Sequence, residues 1–528
     1  MQHDVPASAK KQTLADRWSN LPFIAIGAAV FFIVSVNLIF IIYRAQLPYP
    51  VDPWEAGIVT EAGRMLQGQA IYTIGTDHAT HMYGPLITVV LAQAFELTGP
   101  VLQLGRFVNA ISGIAIVVLL AAIFGRSDRL TFAMSVALLL AVNSYVNSYT
   151  DYYFVETRPD TVSIFFATLA LIVLYHGEES EKKAPRRVAT IIAGSALLVI
   201  AVMFKQPAAA FVFVPALAML AKPGKLSFQN QFLSAAIPIV GMLVTLGAVW
   251  YFAPGLWHFI VELPAQFKYS ISAFGETAVS LLISLPLFVL ALMHWLLTDA
   301  RDNWQLPRVR WLMAAMICAI PVSLVASAKE GSDSNSLMPA LLAIGAFCAW
   351  RTPVALAFLR DNSRPLPSRI ATGILFGILL IGQAHPMPWP LGWTALNAGW
   401  GAADRALVIA EARELPGKVI CPDDPTIPLM AKGYAGRTAV FEEDALGGED
   451  VLGSGAPDWR RVQALSKEID SADYVIVIGR LPEDTSMDRQ QIRHDTLQAS
   501  GFVKSEFRTT STPVYELWRR AHPPPLPH

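Results

Sequence analysis

Long apolar runs separated by short polar connectors dominate this chain: Leu21–Tyr43, Val101–Phe124, Leu130–Tyr149, Thr161–Tyr175, Val188–Phe204, Ala208–Ala221, Phe232–Phe252, Val279–Leu297, Trp311–Ala326, Leu337–Trp350 and Ile370–Ala384. An α-helix needs about 20 apolar residues to cross a bilayer, and the pattern predicts about eleven transmembrane helices. Gly84–Leu97 is apolar but only about three to four turns long, the length of an interfacial or re-entrant helix. After residue 398 the pattern changes. Ala402–Leu415 reads as a helix, Lys418–Cys421 and Tyr474–Ile478 as short strands, Gly447–Pro457 as a loop and Pro523–Pro527 as a tail without a folding signal. The expected fold class is an α-helical polytopic membrane protein with a small C-terminal α/β domain. It divides into a cytoplasmic tail (1–20), a transmembrane module (21–398) with a first outer loop (44–100), and a domain over 399–528.

Basic residues orient the pattern. Lys10, Lys11 and Arg17 precede the first run, which is too long for a signal-peptide core and has no small-residue cleavage site after it. An uncleaved first helix with a cytoplasmic N-terminus is expected. If Gly84–Leu97 stays at the outer surface, the loops bearing Arg126/Arg129, Lys182/Lys183/Arg186/Arg187, Lys222/Lys225, Arg301/Arg308/Arg310 and Arg351/Arg360/Arg364/Arg369 all lie inside; if it crosses, all move outside, against the positive-inside rule. The opposite face then receives residues 44–101, 150–160, 205–207, 254–277, 328–336 and everything after His385.

With 54% hydrophobic residues and a net charge of -1, the chain has no basic surface for nucleic acid, and its three cysteines make no disulfide framework. The ionisable residues at the outer ends of the apolar runs are the informative ones: Asp52, Glu55, Glu156, Arg158, Asp160, Lys205, Lys329 and Glu330. Charges at a membrane edge need partners or a task. Asp52 and Glu55, three apart at a Pro-marked helix start, put two carboxylates on one face; they also fit an N-cap and capping box. The helix they open runs over Ala56–Gln67. Arg158 suits bidentate phosphate binding or a simple pair with Glu156, and Asp160 or Thr161 suits a helix cap. Lys205 reads as a phosphate ligand or a snorkelling lysine. Lys329–Asn335 is a polar loop in which Gly331 and Ser332 permit close backbone approach. His78 and His81, with Asp77, have loose metal-like spacing and no fourth ligand; orientation of a substrate fits them better, and no metal or other cofactor is expected.

No P-loop, GxGxxG, GxSxG or zinc-type Cys/His spacing occurs. A transporter or flippase would place its site near the bilayer midplane on broken helices, often with inverted repeats. Neither feature is visible, and a non-catalytic assembly protein would not require acids and bases to converge.

The sequence around Asp52–Glu55, the helix ending Met65-Leu-Gln-Gly-Gln69-Ala-Ile-Tyr72, Tyr83-Gly-Pro85 and Gly105-Arg106 resembles the GT-C superfamily, nearest to bacterial relatives of protein O-mannosyltransferases and of the lipid A aminoarabinose transferase. Arg158-Pro-Asp160, Lys205-Gln-Pro207 and Gly331–Asn335 look like later landmarks of those families. The resemblance implies a membrane glycosyltransferase in the bacterial inner membrane with its C-terminal domain in the periplasm. Its donor would be a polyprenyl-phosphate-linked sugar (hexose or pentose), transferred with inversion in a single displacement, without a covalent enzyme intermediate. The acceptor would be an envelope glycan, lipid or protein, and membrane lipids would surround it. Position by position, Asp52 becomes the general base with Glu55 as neighbour, or Glu55 the base if the register follows it. Arg158, Lys205, Lys329 and Arg106 become phosphate ligands, and Asp160, Glu156, His78, His81, Tyr83 and Asn335 substrate-binding residues. Gly84–Leu97 and Pro254–Thr277 become candidates to guide the lipid or close over the donor.

Overall fold

The computed structural model describes residues 20–50, 53–74, 79–125, 128–146, 154–179, 184–220, 228–329, 331–332, 334–361, 363–384, 402–445, 462–478, 487–507 and 515–521. The expected Gly447–Pro457 loop and the proline-rich tail lie outside these, as do Asp52, Asp77, His78 and Glu330.

Among the described residues, eight helices are long and apolar enough to cross a membrane: Leu21–Gln46, Leu102–Phe124, Asp160–Gly177, Arg187–Phe204, Phe232–Phe252, Pro307–Ser327, Ser334–Arg360 and Leu366–Gln383. The expected Val279–Leu297 span is a pair, Ile271–Ser284 and Pro286–Thr298, bent by 82° at Leu285–Pro286, and supplies a ninth only if counted as one. Proline removes a backbone donor and clashes with the preceding turn, which explains the break. The other two expected spans are shorter. Arg129–Asn143 is only 15 residues, and most of its side chains are buried among neighbouring helices. Packed inside protein, it is not held to the length that lipid contact imposes. Gln206–Phe213 is 3-10 helix continuing into Val214–Leu220; hydropathy does not register such a change of backbone geometry. The count of eleven therefore exceeds the helices that pass on length and apolarity.

The core is a continuous cluster including Ile33, Leu139, Leu198, Phe211, Ile344 and Phe347. Small residues let helices approach closely. A Cβ on Gly373 would meet Pro22 Cβ at 2.7 Å, and one on Gly194 would meet Leu174 Cγ at 2.5 Å. The first-loop helix appears as Pro53–Leu66, and Gly84–Leu97 appears as Leu86–Thr98 packed beside it.

The C-terminal segment forms a four-stranded sheet: β1 Val419–Ile420, β2 Tyr474–Ile478, β3 Phe502–Ser505 and β4 Tyr515–Arg520, in the order β1-β2-β4-β3. β1 and β2 are parallel, and the other pairs antiparallel. Side chains alternate across a strand, so Val475 and Val477 enter one apolar cluster while Ile476 and Ile478 enter another. Both faces are covered, and this is why β2 reads as an unbroken apolar run.

Gly84 shows what this packing tolerates. Its N–H donates to Phe204 O at 3.2 Å, and an added Cβ would lie 1.9 Å from Met203 O, a backbone atom. Gly84→Ala is expected to destabilise the protein by about 1–3 kcal/mol through overpacking, read as a lower thermal midpoint in detergent, while Gly241→Ala, inside a helix with open space around it, costs less than that.

Candidate functional site

One end of the bundle is built around a buried ion pair. Pro53 opens its helix at the position where a missing N–H costs nothing, and Glu55 in the same turn is fully buried. Arg106, also fully buried, grips it bidentately: Nε donates to Glu55 Oε1 at 2.7 Å and Nη2 to Glu55 Oε2. The remaining guanidinium donors go to Leu47 O (2.6 Å), Arg44 O (3.2 Å) and Tyr49 O (2.6 Å). Glu55 Oε1 also accepts Thr157 N–H at 2.8 Å. Asn109, one turn on from Arg106, donates to the Glu156 and Arg158 carbonyls and accepts Val162 N–H. Gly105 lets Thr157 close in, since a Cβ there would sit 2.3 Å from Thr157 Cγ2. Together these contacts hold the loop that carries Arg158.

Beside this assembly is a cleft of about 720 Å³. Its polar lining comprises Arg158, Lys205, Gln206, Lys329, Gly331, Ser332, Asn335, Ser336 and Asp444, and its apolar lining includes Ile260, Pro264, Phe267, Pro321, Val322, Val325 and Ala326. Trp54, Met82, Tyr83, Pro207 and Tyr269 complete the lining. Arg158 lies over the Trp54 ring at 5.1 Å, with Nε 3.4 Å from Glu156 Oε2. Lys205 Nζ pairs with Asp160 and lies 5.0 Å from the Tyr83 ring centre. Lys329 Nζ is 4.5 Å from the Phe267 ring centre, and burial lowers its pKa to about 8. Trp54 Nε1 donates to Asp444 Oδ2 at 3.3 Å. Burial raises the Asp444 carboxyl to about 7, against the opposing pull of that hydrogen bond, Lys329 and Arg158. Three cations in a cleft that also has apolar lining suit an anionic group carried on an apolar chain.

The structure brings Arg158, Lys205, Lys329, Tyr83 and Asn335 to one cleft. Asp160 pairs with Lys205 and, with Asn335, lines a small adjoining hollow. Glu156 stands behind Arg158. Two sequence expectations need correction: Glu55 and Arg106 satisfy each other inside the protein and do not line the cleft. An arginine buried at a membrane edge needs a carboxylate, and Glu55 is that partner. His81 is buried too, with Nε2 2.8 Å from Thr88 Oγ1 and 3.2 Å from Glu61 Oε2, and Tyr83 N–H donating to Nδ1 at 3.2 Å. Burial pushes His81 down to about 3 and Glu61 up to about 7, so their contact is not an ion pair at neutral pH. His81 braces the loop that presents Tyr83. Leu86–Thr98 does not line the cleft, whereas the segment after Pro254 does, including a π-helical turn at His258–Glu262. Sequence reasoning missed Trp54, Gln206 and Asp444. Nothing local marks Asp444, because an acidic run at a helix end ordinarily reads as a solvated face.

Bundle, cleft and appended sheet define a polytopic membrane protein with a GT-C fold. The chain is similar to the crystal structure of ArnT from Cupriavidus metallidurans bound to undecaprenyl phosphate, with 13% identity over 94% of this chain and 98% of that one and a TM-score of 0.53. The apo ArnT structure from the same organism matches with 15% identity over 93% of this chain and 98% of that one, also at a TM-score of 0.53. No family model and no curated protein matches the sequence.

Removing one member of a buried pair strands the other, at a cost of about 3–5 kcal/mol. Glu55→Gln is therefore expected to lower the thermal midpoint strongly. Glu55→Leu combined with Arg106→Met should recover part of that loss, since no buried charge is left unpaired.

Proposed function

We propose that this chain is a membrane glycosyltransferase that moves a hexose or pentose from a polyprenyl-phosphate-linked donor to an acceptor hydroxyl on an envelope glycan, lipid or protein. The observation that carries the reading is the cleft itself, which Arg158, Lys205 and Lys329 line together with proline, aliphatic and aromatic side chains. The phosphate lies among the three cations, Arg158 offering a bidentate fork, and the lipid follows Val322 and Val325 toward the surrounding membrane. Negative charge developing on the leaving phosphate is stabilised by cations already in position. The 21–398 segment is the catalytic module and 399–528 a domain closing over it.

The acceptor hydroxyl needs a base, whose contribution is typically about 10²–10⁴-fold. With Glu55 committed to Arg106, Asp52 takes that role; its neighbour Trp54 lines the cleft. The displacement is single and inverting. Asp160 and Glu156 set Lys205 and Arg158, while Tyr83 and Asn335 contact substrate. His78, five positions before Tyr83 in the sequence, is the further substrate-binding candidate.

The cleft opens on the outer, periplasmic face of a bacterial inner membrane. The far ends of the spans support this orientation: Arg129, Arg308, Arg360 and Arg364 all lie in or beside connectors at the other end of the bundle. Cytoplasmic loops carry such an excess of arginine and lysine.

The test is transfer by the purified protein from a panel of undecaprenyl-phosphate-linked sugars, with products read by mass. Asp52→Asn is expected to reduce kcat by about 10²-fold or more; retained transfer would remove Asp52 as base. Arg158→Ala should mainly raise the donor KM. A lysine whose folded pKa is about 8 is charged below that pH, so donor binding should weaken as pH rises past it.

A further inference from the structure

Among the described residues lining the cleft, Asp444 is the one carboxylate, and it comes from the C-terminal segment rather than the bundle. Its placement is fixed by close contacts. A Cβ on Gly57 would lie 2.5 Å from the Phe441 ring, and Glu442 Oε1 accepts Ala79 N–H at 3.1 Å. Trp54 connects the acid to the phosphate side of the cleft, donating to Asp444 while its ring lies under Arg158. Arg158 and Lys329 act on Asp444 electrostatically from two separate loops. Lys205, Tyr83 and Tyr269 are the other titratable groups of the lining, and Glu442 on the same helix is turned to Arg437. No partner for Asp444 other than Trp54 occurs as a hydrogen bond among the described residues.

An ionised carboxylate among the cations that hold a phosphate would repel it, whereas a protonated one donates a hydrogen bond to it. We propose that Asp444 binds the lipid phosphate in its protonated form and passes that proton to the phosphate oxygen as the sugar leaves. This rests on the glycosyl-transfer reading. The acceptor oxygen forms the new bond to the anomeric carbon and gives its proton to the base. The bond from that carbon to the phosphate oxygen breaks, its electron pair stays on that oxygen, and the Asp444 proton follows. The lipid monophosphate leaves protonated, and Asp444, ionised beside Lys329 and Arg158, takes a proton from water before the next cycle. The C-terminal segment thereby supplies a reacting group. The carboxyl, raised to about 7, holds its proton below that pH and gives it up above.

The experiment is binding of undecaprenyl phosphate to the full-length protein in detergent as a function of pH, for wild type and Asp444→Asn. Asparagine keeps the hydrogen-bonding shape without the charge. Below pH 7 the two should bind alike. Half a unit above it, where Lys329 is still mostly charged, the variant should bind about fourfold more tightly, because wild type must first take up a proton. Calorimetry in two buffers near pH 7 should find wild type taking up about half a proton more than the variant. In the transfer assay the variant, lacking the proton, should lose about tenfold or more in kcat. Equal or weaker binding by Asp444→Asn above pH 7, with unchanged proton uptake, would overturn the proposal and leave the glycosyl-transfer reading standing. Absence of wild-type binding at every pH would overturn both. Should the asparagine variant misfold, Asp444→Glu with wild-type pH dependence supports the role, and pH-independent binding by wild type refutes it.

Discussion

The site depends on one buried ion pair. A guanidinium has five donors, and Arg106 places all five: two on Glu55 and three on the carbonyls of Arg44, Leu47 and Tyr49. The chain leaving the first transmembrane helix is thereby tied to the helix that starts at Leu102. Glu55 adds the Thr157 N–H, so the loop presenting Arg158 is fixed to the same point. Neither charge is available for other work, since freeing either would strand its partner without water.

Around that anchor the cleft pairs two kinds of surface. Lys205 and Arg158 stand on loops at helix ends, each beside an acid that orients it, and Lys329 stands against Phe267 on the segment following Pro254. That segment is stitched to the same loop by the Ser270 N–H to Ala328 O bond at 2.8 Å and by the Tyr269–Lys329 bridge. Proline and aliphatic side chains line the same cleft. The C-terminal segment leans on this arrangement through Gly57 and Phe441, Gly63 and Leu429, and an Arg405 Nη1 bond to Pro48 O at 2.9 Å. It thus touches the first loop at Pro48, Gly57 and Gly63.

Much of this was legible in the sequence because membranes leave few choices. Apolar length located the long helices, and the arginine bias separated the two ends. Charges at the ends of apolar runs singled out Arg158, Lys205 and Lys329. Spacing could not tell a charge that faces a ligand from one that is internally neutralised. Glu55 and Arg106 looked functional because they are costly, and the structure shows that the cost is met by each other. Tyr83-Gly84-Pro85 stood out as a motif, and its reason is the backbone of Met203 pressed against Gly84. Asp444 was out of reach: it enters the cleft only through the packing of residues almost 400 positions apart, Trp54 and Asp444 being separated by 390. The strands Phe502–Ser505 and Tyr515–Arg520 were also missed, as their burial patterns mix buried and exposed positions and carry charges.

A structure of the protein with undecaprenyl phosphate tests the central claim most directly. The account predicts phosphate density within hydrogen-bonding distance of Arg158, Lys205 or Lys329, with the lipid running along Pro321–Ala326. Phosphate bound at the opposite end of the bundle, among Arg129, Arg308 and His176, would contradict it.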